Sequence, residues 1–470
     1  MFDILEATIP LMQKAMENGT LTSHELVLAY LERIRRFDRG ESGLNAVLEL
    51  NPDALFLADA LDAQRAAGEV RGPLHGIPIL LKDNISTGDK LRTSAGSVAL
   101  ADNFAKYDAP VVERLREAGA IILGKANMTE FANYMADGMR NGYSSRGGSV
   151  LNSYDRGADP LGSSTGSAVA VTANLCAVAV GTETCGSVIA PAFVGGLVGI
   201  KPTLGRVSRS GIIPISSTLD TAGPIARTVM DAAILLEAMS GEDAADPATL
   251  GHPEPRGYLR LNTDDLRGMR IGINRAFDDE AEAGYAEVFE ALLGTLREAG
   301  AELVELDDLE LQAGDALEQL MKYEFETGID SYLATYAGDT ACRNLRDIVR
   351  YNLDHAETAL RYGQSVLLEA LGKNTACPEW IAAIERRDEV TRAFRAAFDR
   401  YKLDVMLFAS GATMIAPFIG WPAATVPIGA DGKGHPLGSY WIARPFDEAT
   451  LLRACYSCEQ HTRARIVPKL

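Results

Sequence analysis

The sequence predicts an α/β protein. Two strand–helix–strand successions and one small-residue strand running into a glycine–serine turn are the observations that predict it. The first succession is Ile77-Pro-Ile-Leu-Leu-Lys82, an apolar run expected as a buried strand, then a helix from Pro110 to Ala118 stopped by Gly119, then the strand Ala120-Ile-Ile-Leu-Gly124. The second places strands Met269–Ile273 and Ala301–Val304 on either side of a helix over 283–299. Strand, helix, strand is the order of a parallel layer, because parallel neighbours need a crossover connection.

The remaining elements follow in order. Thr22-Ser-His-Glu25 forms a capping box ahead of Leu26, Tyr30, Ile34 and Phe37, which recur at helical spacing. Asn51-Pro52 is expected to open a second helix with proline in its first position, and Gly68 to end it. Residues 138–168 are rich in Gly, Ser and Asn and too long for a simple turn, a pattern often tied to function. Ala168–Leu175 is expected as a helix and Ala177–Val180 as the strand leading to Ser187. A block over about 313–402 reads as several amphipathic helices covering one side of the sheet or the site. Asp404–Phe408, Ala423–Pro427 and Ser439–Ile442 return to strand, and Phe446–Thr462 is a terminal helix. With no internal repeat, linker or low-complexity tract, one domain over 1–470 is expected.

Composition narrows the function classes. The 470 residues carry 45 basic and 64 acidic side chains, a formal charge of −19. An acidic surface repels nucleic acid and anionic membranes, so neither is expected as a partner. No apolar run approaches the ~20 residues of a membrane span. The start, Met1-Phe-Asp-Ile-Leu-Glu6, lacks the basic and apolar regions of a signal peptide, so a cytoplasmic monomer or homodimer is expected. The cysteines, Cys176, Cys185, Cys342, Cys377, Cys455 and Cys458, form no disulfide framework. Cys455 and Cys458 make one C-x-x-C without a second ligand pair, so no metal and no cofactor is expected. Asn18-Gly-Thr20 and Asn127-Met-Thr129 match the glycosylation pattern by chance.

The chemistry rests on two serines and a lysine. Ser163 lies in Leu161-Gly-Ser-Ser-Thr-Gly-Ser167 and Ser187 in Gly181-Thr-Glu-Thr-Cys-Gly-Ser187. No histidine lies between His75 and His252, so neither serine has a histidine base near it in sequence. Lys82 ends an apolar strand, and burial lowers a lysine pKa by disfavouring the charged form. A hydroxyl both donates and accepts, which suits Ser163 to relay a proton between Lys82 and Ser187. Ser187 follows a strand and opens Val188-Ile-Ala-Pro191, a helix start, so the N–H groups of Thr184, Cys185, Gly186 and Ser187 are placed to bind a developing oxyanion. His75 and Lys201 are expected to be structural, and Glu183 to orient the loop. Met128, Phe131 and Tyr134 have helical spacing and read as core. The 181–187 turn lacks the lysine of a phosphate-binding loop, which argues against a nucleotide site.

These segments together resemble the amidase signature family of serine hydrolases, in its peptide-amidase-like branch. The match runs through Gly162–Ser167, Gly181–Ala192 and Gly199–Ser208, with the two serines 24 positions apart. Leu74–Pro78, Gly124–Phe131, Leu219–Arg227, Gly420–Pro427 and Phe446–Leu452 agree with it, and 240–400 is the weakest stretch. The resemblance implies a large mixed, twisted β-sheet flanked by helices, with a signature core over about 70–230. It implies Ser187 as the acyl-forming nucleophile, Ser163 as the cis-serine, Lys82 as the base, and substrate contacts at Met128, Gly162 and Ser164. Two positions depart from it. Cys185 stands where the family usually has glycine, and Ile189 and Ala190 stand where it often has an arginine for a substrate carboxylate. The expected activity is hydrolysis of a neutral carboxamide or peptide C-terminal amide. The alternatives are the glutaminase subunit of an aminoacyl-tRNA amidotransferase and a non-catalytic binding protein on the same scaffold.

Overall fold

The structure, a computed structural model, describes residues 2–40, 42–261, 263–275, 284–306, 312–409 and 414–470. Its centre is one mixed sheet of eleven strands. In chain order the strands are β1 (Val47–Leu50), β2 (Pro78–Lys82), β3 (Ile121–Ala126), the short pair β4 (Tyr143–Ser144) and β5 (Gly148–Ser149), β6 (Val178–Glu183), β7 (Val198–Lys201) and β8 (Thr221–Ala226). They continue as β9 (Arg270–Asn274), β10 (Glu302–Glu305), β11 (Val405–Phe408), β12 (Ala423–Ala430) and β13 (Pro436–Ala443). The spatial order is β1-β3-β2-β6-β8-β7-β12-β13-β11-β9-β10, with β4 and β5 pairing apart. The trios β3-β2-β6 and β11-β9-β10 are parallel, and the strands between them antiparallel. The chain therefore has the mixed α/β architecture expected.

Helices cover the sheet for reasons visible residue by residue. Helix Ser23–Phe37 carries the complete capping box, Thr22 Oγ1 accepting from Glu25 N–H at 3.1 Å while Glu25 accepts from Thr22 N–H at 2.9 Å. The next helix starts at Ala54, so Pro52 lies before it rather than in its first turn. Asn51 is the cause. Its side chain accepts from Asp53 N–H at 2.9 Å and donates to the Ile122 carbonyl at 2.8 Å, holding the chain in a turn against β3. The helix expected at 168–175 spans Thr165–Thr172, and all eight residues are buried. Turn-prone Thr165, Gly166 and Ser167 become helical because only small residues fit there, tertiary packing overriding propensity. Of the helix expected at 283–299, residues 284–299 are described and Tyr285–Glu298 is helical.

Strands β1, β7 and β8 and helix Val229–Met239 were not legible. β8 is the instructive case, since its Gly223-Pro224 reads as a turn. Gly223 faces Gly181 of β6, and a Cβ on Gly223 would stand 2.0 Å from the Ile200 carbonyl oxygen. Close approach of β7 requires glycine at this point.

The expected helical cover is present as helices Ala316–Thr335, Leu345–Asp354, Ala356–Ala359, Ser365–Ala370 and Pro378–Tyr401. One flank packs Phe325 on Phe131 and Tyr134, with ring centroids 6.4 and 4.9 Å apart. The other sets Phe394 and Phe398 edge-on to Trp421, both at 5.1 Å. No helix of the described residues is long and apolar enough to cross a membrane.

The packing generates a contrast between two glycines. Gly223→Ala is expected to lower the unfolding free energy by about 2–3 kcal/mol through overpacking. Gly294→Ala, inside helix Tyr285–Glu298 with open space around it, is expected to raise it by about 0.5–1 kcal/mol. Denaturant unfolding measures both, and a wild-type value for Gly223→Ala would contradict the strand register described.

Candidate active site

Lys82 is the last residue of β2, and β6 runs parallel beside it with Leu81 opposite Val180. That register brings Lys82 Nζ to 2.7 Å from Ser163 Oγ and 3.1 Å from the Thr182 carbonyl oxygen. Lys82 and Ser163 are 0% exposed, whereas Ser187 keeps 7% of its surface open to solvent. Burial pulls the Lys82 amine down to about 7, and the negative charges of Asp220 and Glu183 only partly oppose it.

The two serine turns are fastened to each other. The Gly162–Ser163 peptide is cis. Ser164 N–H donates to the Ser187 carbonyl at 3.1 Å, and the Ser163 carbonyl accepts from Thr129 N–H at 3.1 Å. Ser164 Oγ donates to the Thr182 carbonyl at 3.0 Å and accepts from Thr182 N–H at 3.2 Å, so this hydroxyl is committed to β6. Gly181 makes room for it, since a Cβ there would lie 2.7 Å from Ser164 Oγ.

The turn from 183 to 190 is braced from below. Glu183 Oε2 accepts from Val188 N–H at 2.7 Å and Ile189 N–H at 3.0 Å, answering two of the unpaired donors where helix Ile189–Val194 begins. Thr184 Oγ1 donates to Asp220 Oδ1 at 2.6 Å. Asp220 Oδ2 accepts from Ile215 and Ser216 N–H at 2.7 and 3.0 Å. Burial raises the Asp220 carboxyl to about 6, and its hydrogen bonds from Thr184, Ile215 and Ser216 work against that rise. Gly186 takes the left-handed conformation at φ 85°, with Met414 packed opposite. Among the described residues no partner engages the N–H of Cys185, Gly186 or Ser187. The site thus offers a solvent-edge hydroxyl, free backbone donors beside it, and a buried amine able to lose its proton near neutrality.

The remaining histidine, lysine and cysteine side chains have other surroundings. His75 is buried, with Nε2 2.9 Å from the Leu61 carbonyl and Nδ1 accepting from Arg71 N–H. Lys201 donates to the Pro202 carbonyl at 2.8 Å. Lys125 lies against the Ile85 carbonyl and Thr93, with Asp83 near enough to support its charge. Cys185 is half-buried, and its surroundings push the thiol up to about 12, far from a thiolate. Cys455 and Cys458 are buried free thiols.

Of the expected substrate contacts, Gly162 stays partly open beside Ser163. The Ser164 hydroxyl is taken up by Thr182, and Met128 is wholly buried in an apolar cluster with Phe131 and Met135, its N–H bonded to Asn127. Both side chains are thus engaged within the protein. Met128, Phe131 and Tyr134 are core residues, as their spacing suggested, but the segment is not a continuous helix. Phe131 and Ala132 have φ of 45° and 55°, which breaks the segment into a short turn over Glu130–Asn133. Three contributors were missed: Asn84, Thr182 and Asp220. With Glu183 and Thr184 they line a cavity of about 20 Å³ beside the turn. Asp220 stands just before β8, where sequence gives no sign that a carboxylate is buried.

The model of the family described as Amidase matches residues 25–417. A probable amidase of Arabidopsis thaliana is 38% identical over 100% of this chain and 92% of its own length. One of the subunits of the glutamyl-tRNA(Gln) amidotransferase of Halorhodospira halophila is 36% identical, covering 97% of each chain. The crystal structure of native peptide amidase from Stenotrophomonas maltophilia superimposes with a TM-score of 0.94 at 40% identity, covering 100% of this chain and 99% of the other.

Proposed function

The chain belongs to the amidase family, and from this premise we propose that it hydrolyses the carboxamide of a neutral acyl group, or the C-terminal amide of a peptide, through an acyl-enzyme on Ser187. The observation that carries the reading is the 2.7 Å contact between buried Lys82 and Ser163, in a turn hydrogen-bonded to that of Ser187. A lysine at its ordinary pKa is neutral in only about one molecule in 250 at pH 8. Near 7, most molecules hold the free base at that pH.

Cleavage begins with neutral Lys82, which takes the proton of Ser163, while Ser163 takes that of Ser187 as Ser187 Oγ adds to the amide carbon. The carbonyl π pair moves onto oxygen, and the N–H groups of the 184–187 turn receive that charge; each such donor is worth about 3 kcal/mol of barrier. The tetrahedral adduct expels ammonia or amine, which receives the proton back from Lys82 through Ser163. Water then adds to the ester by the same relay and releases the carboxylate and Ser187.

The neutral acyl group is supported by what surrounds the turn. Ile189 is buried in an apolar cluster and Ala190 carries no charge. Of the loop cations Arg140 and Arg146, the second is held by Glu49 at 2.5 Å and Asp83 at 3.4 Å. The same lining disfavours the glutaminase-subunit reading, because free glutamine brings a carboxylate. Release of ammonia from simple amides by the purified chain alone separates the two.

Ser187→Ala is expected to abolish turnover and trapping by a fluorophosphonate without loss of fold, and mass spectrometry is expected to find the adduct on Ser187. Lys82→Ala is expected to lose most amide hydrolysis, while folded His75→Ala retains it. An adduct on Ser163 or Cys185, or a dead His75→Ala beside an active Lys82→Ala, would overturn the mechanism.

Substrate charge gives an independent check. Among amides of matched size, the enzyme is expected to prefer the neutral acyl group in kcat/KM, because a buried carboxylate without a cation costs several kcal/mol. A clear preference for the member with a terminal carboxylate would refute the neutral-acyl assignment.

A further inference from the structure

We infer that Asp220 is a positioning residue for amide cleavage, holding the oxyanion turn through Thr184 while presenting a fixed negative charge to the Lys82 amine. The inference rests on the reading of Lys82 as base and adds to it a residue outside the serine–serine–lysine set. Both carboxylate oxygens are used. Oδ1 takes the Thr184 hydroxyl at 2.6 Å, and Oδ2 takes the N–H groups of Ile215 and Ser216 at 2.7 and 3.0 Å. The second oxygen is thereby bonded to a segment that is itself rigid, since Glu324 accepts from Ser216 Oγ at 2.6 Å and Thr218 N–H at 2.9 Å. The first oxygen passes that rigidity to Thr184, at the head of the turn whose N–H groups face the reacting carbonyl. An ionised carboxylate only accepts, so the direction of the Thr184 bond is fixed while Asp220 is charged.

Asp220 also shares one small cavity with Thr182, whose carbonyl oxygen is 3.1 Å from Lys82 Nζ. The charges facing this amine are Asp220 and Glu183. Glu183 in turn is opposed by Lys201, and Asp220 by Arg209, whose guanidinium is paired with Asp246 at 2.5 Å. Arg209 is thus largely satisfied elsewhere and leaves the Asp220 charge available to Lys82. The carboxyl, at about 6, is mostly ionised above pH 7. An anion near a buried amine favours the ammonium form and raises its pKa, so removing the anion makes the amine deprotonate at lower pH and leaves it a weaker base.

The test is the pH profile of kcat/KM on one neutral amide for wild type, Asp220→Asn, Thr184→Val, Thr184→Ser and Lys82→Ala. Activity rises with pH as Lys82 loses its proton. In Asp220→Asn the midpoint of that rise is expected to move about half a pH unit or more toward acid, with a lower plateau. Thr184→Val is expected to keep the wild-type midpoint and lose roughly tenfold in kcat with little change in KM, because the turn's donors act on the transition state. Thr184→Ser is expected to recover most of that loss. An unshifted midpoint in a folded Asp220→Asn overturns the proposal. So does a wild-type kcat in Thr184→Val, which decides the matter even where Asp220→Asn does not fold. Full activity in Lys82→Ala would instead sink the base reading beneath it, whereas a dead Lys82→Ala beside an unmoved Asp220→Asn sinks only the role of Asp220.

Discussion

Removing the Lys82 amine from water is the constraint on which the rest of the structure depends. An ammonium buried without a close counter-ion costs several kcal/mol, and the protein meets that cost by letting the group become neutral near pH 7. Strand β2 achieves the burial because all five of its residues are enclosed between parallel neighbours β3 and β6. The polar partners left to the amine are then few: the Ser163 hydroxyl and the Thr182 carbonyl. A neutral amine beside a hydroxyl has what the proposed mechanism asks of it, a lone pair and a group that can pass a proton on. Asp220 and Glu183 keep the amine from falling further, so its basicity is set by opposing influences.

The second requirement is a turn whose donors are not used by the protein itself. Backbone N–H groups are normally paired, and leaving several free in one place requires that their neighbours be satisfied with care. Glu183 takes the next two donors, those of Val188 and Ile189, and Asp220 fixes Thr184 from the other side. Ser164 ties the companion turn to β6 with both functions of its hydroxyl. Small residues make these approaches feasible. Gly181 clears Ser164, and Gly223 on the facing strand clears the Ile200 carbonyl. Side chains bonded to the backbone around the two turns therefore fix where Ser163 and Ser187 stand.

Much of this was legible in the sequence, and the failures have identifiable causes. Apolar runs such as 77–82 and 120–124 announced their strands because parallel strands buried on both faces are continuously apolar. The glycine–serine turns and the strand-ending lysine, each commonplace alone, pointed in combination to residues that the structure brings together, Lys82 lying 2.7 Å from Ser163 in a turn bonded to that of Ser187. β8 was hidden by Gly223-Pro224, which is strand only because a neighbour's carbonyl must pass within reach. Met128, Phe131 and Tyr134 are core as their spacing suggested, but a three-residue spacing cannot reveal the left-handed residues at Phe131 and Ala132 that keep the segment from being a continuous helix. Asn51 shifted a helix start by bonding to β3, a partner far along the chain. Asp220 and Asn84 were missed for the same reason. Their roles arise from contacts between distant segments, and nothing about an isolated aspartate before a strand foretells them.

The mechanism turns on the state of one amine, and lysine 13Cε chemical shifts followed by NMR across pH measure it directly. The resonance assigned to Lys82 by its loss in Lys82→Met is expected to titrate near pH 7, below the buried Lys125 and Lys201, which are held at about 8. A Lys82 resonance that stays in its charged form until about pH 10, alongside the exposed lysines, would contradict a lysine base.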